Sequence, residues 1–487
     1  MGNPGNHIMG GGDVLSNLSL DIRTLHERYA SGSFKPSDII EEVYRRIEAR
    51  GEDHVWLSLV PKVQALARAR ELEARVEPSA GPDTLPLYGL PFSVKDNLHV
   101  AGMPTSAACP AFAFQPEVTA TAIARAVAAG AILIGKTNMD QFANGLVGVR
   151  CPTGYCRNLF NPDYIPGGSS SGAGVSVGDG LVSFAYGSDT GGSGRVPGAM
   201  SNVIGFKPTP GVISVAGFLY ANRSFDVCPI FSLTVDDTYR VFEAVRGFDA
   251  ADDYSRPEAA EYDVSAKPVQ TFTFGVPDAE SLTFFGDKLQ EREFQKAIIA
   301  FQAMGGRPVT VDFKPFLETG RMLFNGPVLA ERLVDLSPFI DEHPGDLHPA
   351  TRAVMSNAAK FSAADAYRAQ YRLQQLRRSA SREFEKCDVL LVPTTATIYR
   401  IAEVEADPIR LNANNGYYTY FANLLQLAAI SVPASFRPDD LPFSICLLAP
   451  ALQEGLLRGI AQRFHEASGL TAGATGIPVA KLYGMQT

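Results

Sequence analysis

The chain has 487 residues, 46% of them hydrophobic and 20% charged, a balance ordinary for a globular protein and too apolar for disorder. A formal charge of −9 argues against nucleic acid or an anionic membrane as partner, since both repel an acidic surface. No apolar run approaches the ~18 residues that span a bilayer. The opening MGNPGNHIMGGGD lacks a basic segment followed by an apolar one, so it does not read as a secretory signal. Asn6 stands where myristoylation takes Ser or Thr. Residues 1–12 are expected to be a disordered leader, and a cytoplasmic enzyme is expected.

In chain order, KPSDIIEEVYRRIEAR predicts a helix with Ser37 as N-cap, Glu41 and Glu42 near its positive end, and Ile39, Ile40, Val43 and Ile47 on one apolar face. VQALARARELEARV repeats that pattern. LYGLPFSVKDN is an apolar run closed by polar residues, a strand entering a loop. TAIARAVAAG followed by AILIG predicts a helix, a glycine stop and a buried strand, and LVSFAYGSDT a further strand entering a loop. The polar stretch 250–270 predicts a surface connection. Beyond it come a helix over 287–304, a strand in RPVTVDF and a long amphipathic helix over 362–386. The strands CDVLLVPT and LPFSICLLAP and the helix EGLLRGIAQRFHEA complete the series. Alternation of this kind implies an α/β fold with strands buried on both faces.

The six cysteines, Cys109, Cys151, Cys156, Cys228, Cys387 and Cys446, are too few for a disulfide scaffold. Cys151 and Cys156 have no second Cys or His pair nearby to complete a zinc tetrahedron, so no metal is expected. Two literal motifs mislead. GAILIGKT, Gly130 to Thr137, fits the phosphate-loop pattern, but its variable residues are the apolar body of a strand rather than a loop around phosphate. GGSSSG contains GxSxG at Gly168 to Gly172, yet NPDYIP precedes it where a nucleophile elbow needs a strand. His343, His348 and His465 stand in no catalytic context.

Three other segments belong together: GLPFSVKDN with Lys95, IPGGSSSGAG with Ser169, and GSDTGGSGR with Ser193. Lys95 follows the apolar run Leu90–Val94, where burial would favour the neutral amine that a general base requires, while Asp96 beside it acts the other way. A serine hydroxyl is a poor nucleophile without such a base. The stretch from IPGGSSSGAG through GSDTGGSGRVPGAMSNVIGFKP, with its spacing from Ser169 to Ser193, resembles the core signature of the amidase signature family. PFSVKDN, TNMDQFANG, NLLQLAAISVP and LPFSICLLAP resemble its other blocks.

That resemblance implies an amidase-signature fold: a central mixed β-sheet covered by helices on both faces, formed by one catalytic domain over 13–487. Residues about 250–385 would be an embedded subregion shaping the substrate pocket. It implies Ser193 as nucleophile, Ser169 as bridging serine on a cis peptide and Lys95 as base. Backbone N–H groups of Thr190, Gly191, Gly192 and Ser193 would serve the oxyanion, with Asp189 and Arg195 as structural residues near the site. No cofactor is implied, and a homodimer is compatible with it.

Within the family, PTSAACPAF, ILIGKTNMDQFANGLVGVR, SLTVDD, FDAADDYSRP and GPVLAER resemble the amidase domain of allophanate hydrolases. Gly145, Phe324 and Arg332 then stand at substrate-binding positions, Arg332 as cationic anchor for a small anionic ureide. Two positions depart from that pattern. Phe324 replaces a tyrosine and Val328 a bulkier aromatic, which predicts a roomier, more apolar pocket and a specificity broadened to neutral amides, anilides and urethanes. The alternatives are a true allophanate hydrolase of urea or triazine nitrogen metabolism and the amidase subunit of a tRNA-dependent amidotransferase, which would need partner subunits.

Overall fold

The computed structural model describes residue 15, residues 17–77 and residues 80–485, apart from the side chain of Phe324. The expected leader, residues 1–12, lies outside the described residues. The frame is one mixed sheet of eleven strands. In chain order they are β1 (Trp56–Leu59), β2 (Pro91–Lys95), β3 (Ile132–Thr137), β4 (Phe184–Tyr186), β5 (Ile204–Lys207) and β6 (Ile230–Ser232). They continue with β7 (Phe272–Pro277), β8 (Gly306–Val311), β9 (Val389–Pro393), β10 (Ala428–Phe436) and β11 (Pro442–Ala449). Their spatial order is β1-β3-β2-β4-β6-β5-β10-β11-β9-β7-β8. β3, β2 and β4 run parallel, as do β8, β7 and β9. The other pairings are antiparallel.

Every residue of β2, β9 and β11 is buried, which a strand achieves only when both faces of its sheet are covered. The cover comes from helices Pro36–Arg50 and Ser171–Gly178 against β2, Val235–Val245 against β5 and β6, and Glu454–Glu466 against β10 and β11. The ring of Phe92 in β2 stacks on Phe184 of β4 at 5.1 Å and meets Tyr186 edge-on at 6.0 Å. Burial of each such ring contributes about 2–3 kcal/mol, and these contacts hold the β2–β4 register. Among the described residues no helix is long and apolar enough to cross a membrane.

The predicted elements form with shifted ends. The first predicted helix spans Pro36–Arg50, and its N-cap is Lys35 rather than Ser37. Pro36 lacks an N–H and has a fixed φ, so it takes the first helical position and moves the cap two residues outward from Ser37. The Lys35 N–H is then received by Asp38 Oδ2 at 2.9 Å, and the Ser37 N–H by Glu73 Oε1 at 2.7 Å. The strand in GAILIGKT runs through Gly135 to Thr137, so Lys136 lies inside the strand rather than on a phosphate loop. Its ammonium is buried against Asp96 Oδ1 at 3.1 Å and Thr105 Oγ1 at 2.8 Å. The 250–270 stretch is mostly exposed, with a short 3₁₀ turn at Pro257–Ala260.

Candidate active site

The parallel triplet β3-β2-β4 sets up the site. Its register pairs Lys95 with Thr137 and Val94 with Tyr186, so the three carboxyl ends open on one edge. Ligands of open α/β sheets bind beyond such ends. From this edge leave Lys95 itself, the turn carrying Asp140, and the loop from Gly187 to Gly194.

Lys95 is the last residue of β2 and has no solvent exposure. Its Nζ donates to Ser169 Oγ at 2.7 Å and to Ser188 Oγ at 2.8 Å. Burial pulls its pKa down to about 7, against the attraction of Asp140, Asp226 and Asp189. Asp96 does not share this environment. Side chains alternate along a strand, and the Asp96 carboxylate is engaged elsewhere, by Lys136, Ser106 Oγ at 2.6 Å and Ser106 N at 3.0 Å.

Ser169 follows a cis peptide from Gly168. Its carbonyl accepts the Asp140 N–H at 3.0 Å. Ser170, the middle residue of the GxSxG match, precedes helix Ser171–Gly178 and donates its hydroxyl to the Ser188 carbonyl at 3.2 Å. His343 sits opposite Asp346, His348 accepts from the Ala350 N–H and His465 contacts Tyr483. None of them bonds Ser193. Ser193 is buried, 4% exposed, and its hydroxyl makes no hydrogen bond among the described residues. The structure brings Lys95 and Ser169 together directly, and Ser193 lies on the loop whose Ser188 Lys95 contacts.

The Gly187–Gly194 loop is held by one carboxylate. Asp189 Oδ1 accepts the Gly192 N–H at 2.7 Å, and Oδ2 accepts the Gly194 N–H at 3.0 Å. The Arg195 guanidinium forks onto both oxygens at 3.0 Å. Burial would raise the Asp189 pKa, but Arg195 overcomes it and holds the carboxyl at about 2. Gly192 has φ 136°, and a Cβ there would collide with the Thr419 side chain, so this position requires glycine. The expected oxyanion set needs one correction. The Gly192 N–H is consumed by Asp189, whereas those of Thr190, Gly191 and Ser193 have no acceptor among the described residues. Those three N–H groups are therefore open to an acceptor outside the described residues.

The other wall comes from later in the chain. Gly145 lies against Asp140 Oδ2 and Arg150 Cδ, at 2.7 and 3.1 Å from where its Cβ would be. Phe324 is in helix Lys314–Asn325, but its side chain lies outside the described residues. Val328 packs with Phe225, Leu323, Leu373 and Leu424 in an apolar cluster. Leu323 and Tyr420 press on Gly191, placing this cluster against the Gly187–Gly194 loop. Arg332 is 8% exposed, and its Nε and Nη1 are buried without acceptors among the described residues. A cleft of about 260 Å³ lined by Leu317, Gly320, Asn325 and Tyr417 reaches the site at Tyr420.

Four residues here escape a reading of the sequence. Ser188 shares Lys95, and Asn423 donates to the Asp189 and Phe225 carbonyls. Asp226 accepts from the Thr190 hydroxyl and from Ala221 N at 2.7 Å, and burial raises its pKa to about 6. Arg150 is buried beside Gly145. Ser188 lies inside the glycine-rich segment that the sequence singles out, while Asn423 and Arg150 signal themselves only as polar or charged residues in apolar stretches.

The Amidase family model matches residues 38–457. Urea amidolyase of Lachancea kluyveri is 37% identical over 424 residues, 86% of this chain and 22% of that protein. This chain thus spans about a fifth of that relative. The A subunit of glutamyl-tRNA(Gln) amidotransferase from Geobacillus stearothermophilus is 31% identical over 92% of this chain and 97% of that protein. Among solved structures, Kluyveromyces lactis allophanate hydrolase superposes with TM-score 0.86 at 33% identity, over 93% of this chain and 75% of that chain. With the signature segments meeting at one sheet edge and the family model covering most of its length, this chain belongs to the Amidase family.

Proposed function

We propose that the chain hydrolyses the C–N bond of a small amide, ureide or carbamate through an acyl- or carbamoyl-enzyme on Ser193. The observation that carries this reading is the buried Lys95 amine, 2.7 Å from Ser169 Oγ with its pKa near 7. In the proposed sequence Ser193 Oγ attacks the carbonyl carbon and its proton moves to Ser169, whose own proton moves to Lys95 Nζ. The oxyanion takes the N–H groups of Thr190, Gly191 and Ser193. Collapse breaks the C–N bond, and the nitrogen leaves with the proton returned through Ser169. Water then enters by the same relay and releases the acid.

Arg332 supports an anionic group on the substrate, and the apolar cluster at Val328 supports acceptance of neutral amides, anilides and urethanes beyond allophanate. A hydrolysis panel of allophanate, an aliphatic amide, an aryl anilide and an aryl carbamate tests this. Turnover of several classes is expected, and strict preference for allophanate would remove the broadened specificity. Ser193→Ala is expected to abolish all turnover in a folded protein, and retained activity would overturn the mechanism. The match to nearly the whole of one amidotransferase's A subunit favours a second reading. Hydrolysis by the purified chain without partner subunits would exclude it.

A further inference from the structure

The Thr190 N–H belongs to a peptide that is held from both ends. The carbonyl of that peptide, on Asp189, accepts the Val227 N–H at 3.1 Å and Asn423 Nδ2 at 2.6 Å. A trans peptide sets its C=O and N–H on opposite sides, and the one cis peptide among the described residues is Gly168–Ser169. The donors that draw the Asp189 carbonyl toward the segment at Val227 therefore turn the Thr190 N–H away from it. The Asp189 N–H completes the pairing by donating to the Val227 carbonyl at 2.9 Å. In this antiparallel register Thr190 comes opposite Asp226, and the Thr190 hydroxyl donates to Asp226 Oδ1. Both holding side chains are themselves fixed. Asn423 is fully buried, its Nδ2 also donates to the Phe225 carbonyl at 3.0 Å, and its Oδ1 accepts Arg195 Nη2 at 3.0 Å. Asp226 is buried and also accepts the Ala221 N–H at 2.7 Å and the Asn222 N–H at 3.2 Å. The turn so capped is tied to the pocket wall, by Asn222 Nδ2 to the Val328 carbonyl at 2.9 Å and by Ser224 Oγ to Glu331 Oε1 at 2.7 Å. Gly191 and Gly192, which follow Thr190, have no side chains with which to hold the peptide.

We propose that Asn423 and Asp226 are positioning residues that lock the Asp189–Thr190 peptide plane, one through its carbonyl and the other through the Thr190 hydroxyl, so that its N–H is preset toward the oxyanion. This deepens the reading of Ser193 as nucleophile, and rests on it. A donor held in place before the reaction needs no reorganisation as charge develops, so the lock acts on kcat and leaves KM nearly unchanged. Two hydrogen bonds onto the carbonyl also polarise the peptide and strengthen its N–H as a donor.

The test compares Thr190→Val, which keeps the shape of the side chain and loses the hydroxyl, with Thr190→Ser, which keeps the hydroxyl. With ethyl N-phenylcarbamate as substrate, Thr190→Val, Asp226→Asn and Asn423→Ala are each expected to lower kcat about ten- to a hundredfold, the scale of a misplaced reacting geometry. KM is expected to stay within about twofold, because the lost interaction belongs to the transition state. Thr190→Ser is expected to keep most of the rate. Thr190→Val combined with Asp226→Asn is expected to lose no more than the worse single variant, since both remove one bond. Unchanged kcat in Thr190→Val would overturn the proposal. So would equal losses in Thr190→Val and Thr190→Ser, a loss confined to KM, or fully additive losses in the double variant. Amide exchange in the substrate-free protein reads the lock without turnover. The Asp189 and Val227 N–H groups are expected to exchange faster in Thr190→Val than in the unaltered chain or Thr190→Ser, and equal exchange would count against the lock. Faster exchange in a chain that hydrolyses no amide, ureide or carbamate would count against Ser193 as nucleophile and leave the peptide lock standing. If Asp226→Asn or Asn423→Ala fails to fold, the two Thr190 variants carry both readouts.

Discussion

A lysine at the end of a strand ordinarily keeps its charge by reaching into water, and Lys95 cannot. It is walled in by Ser169, Ser188 and the sheet, and burial brings its pKa to about 7. In the proposed relay only the neutral amine can take a proton from Ser169, so kcat/KM is expected to rise as pH passes through about 7 and to level off above it. Lys95→Ala is expected to lose about 10²–10⁴-fold in rate, the range for a general base. A pH–rate profile that stays flat through neutrality would contradict the assignment. The sequence located this lysine but not its surroundings. Asp96 looked like a neighbouring charge, yet strand alternation hands it to Lys136, at 3.1 Å. Arg150 and Asp226 were illegible for the converse reason: each gains meaning only from a partner far along the chain, Pro408 for one and Thr190 for the other.

The Gly187–Gly194 loop reads as glycine-rich and hence slack, but Asp189 turns it into a fixed element. That carboxylate receives two loop N–H groups and the Arg195 fork, and Arg195 in turn reaches the Thr419 carbonyl and Asn423. Asp189→Asn is expected to leave a buried guanidinium uncompensated, at a cost of about 3–5 kcal/mol, visible as a lower Tm in a thermal melt. Catalysis should fall as well, because the loop carrying the proposed oxyanion donors of Thr190, Gly191 and Ser193 loses its anchor. A variant with unchanged Tm and rate would show that the clamp is dispensable. Element type was legible wherever an apolar run was long, as in β9 and β11. The strands β5 and β6 span four and three residues and carry too few side chains for an alternation to register. Their place in the sheet is set by pairing with each other and with β4 and β10.

At the scale of the whole molecule, the sheet buries a second lysine whose charge bears on stability. Lys207, the last residue of β5, has no exposure, and among the described residues its Nζ donates only to the Pro208 carbonyl, at 2.9 Å. Burial and the nearby Arg195 lower its pKa to about 7, against the pull of Asp189 and Glu454. The consequence for stability has a definite sign. In the unfolded chain this amine keeps its proton up to its ordinary value of 10.5, while in the fold it gives the proton up near 7. Between those values the unfolded state binds more protons, so stability rises with pH, and below about 7 the fold must carry a buried charge. Lys95 acts in the same direction over the same window, so the two effects add. Lys207→Met is therefore expected to raise Tm most at acidic pH and to reduce, without abolishing, its upward slope from about pH 7 to about pH 10. Melts of both proteins across that range decide the matter. An unaltered slope in the variant would mean that Lys207 stays charged in the fold. The Arg195–Asp189 pair would then have to tolerate a third buried charge near it.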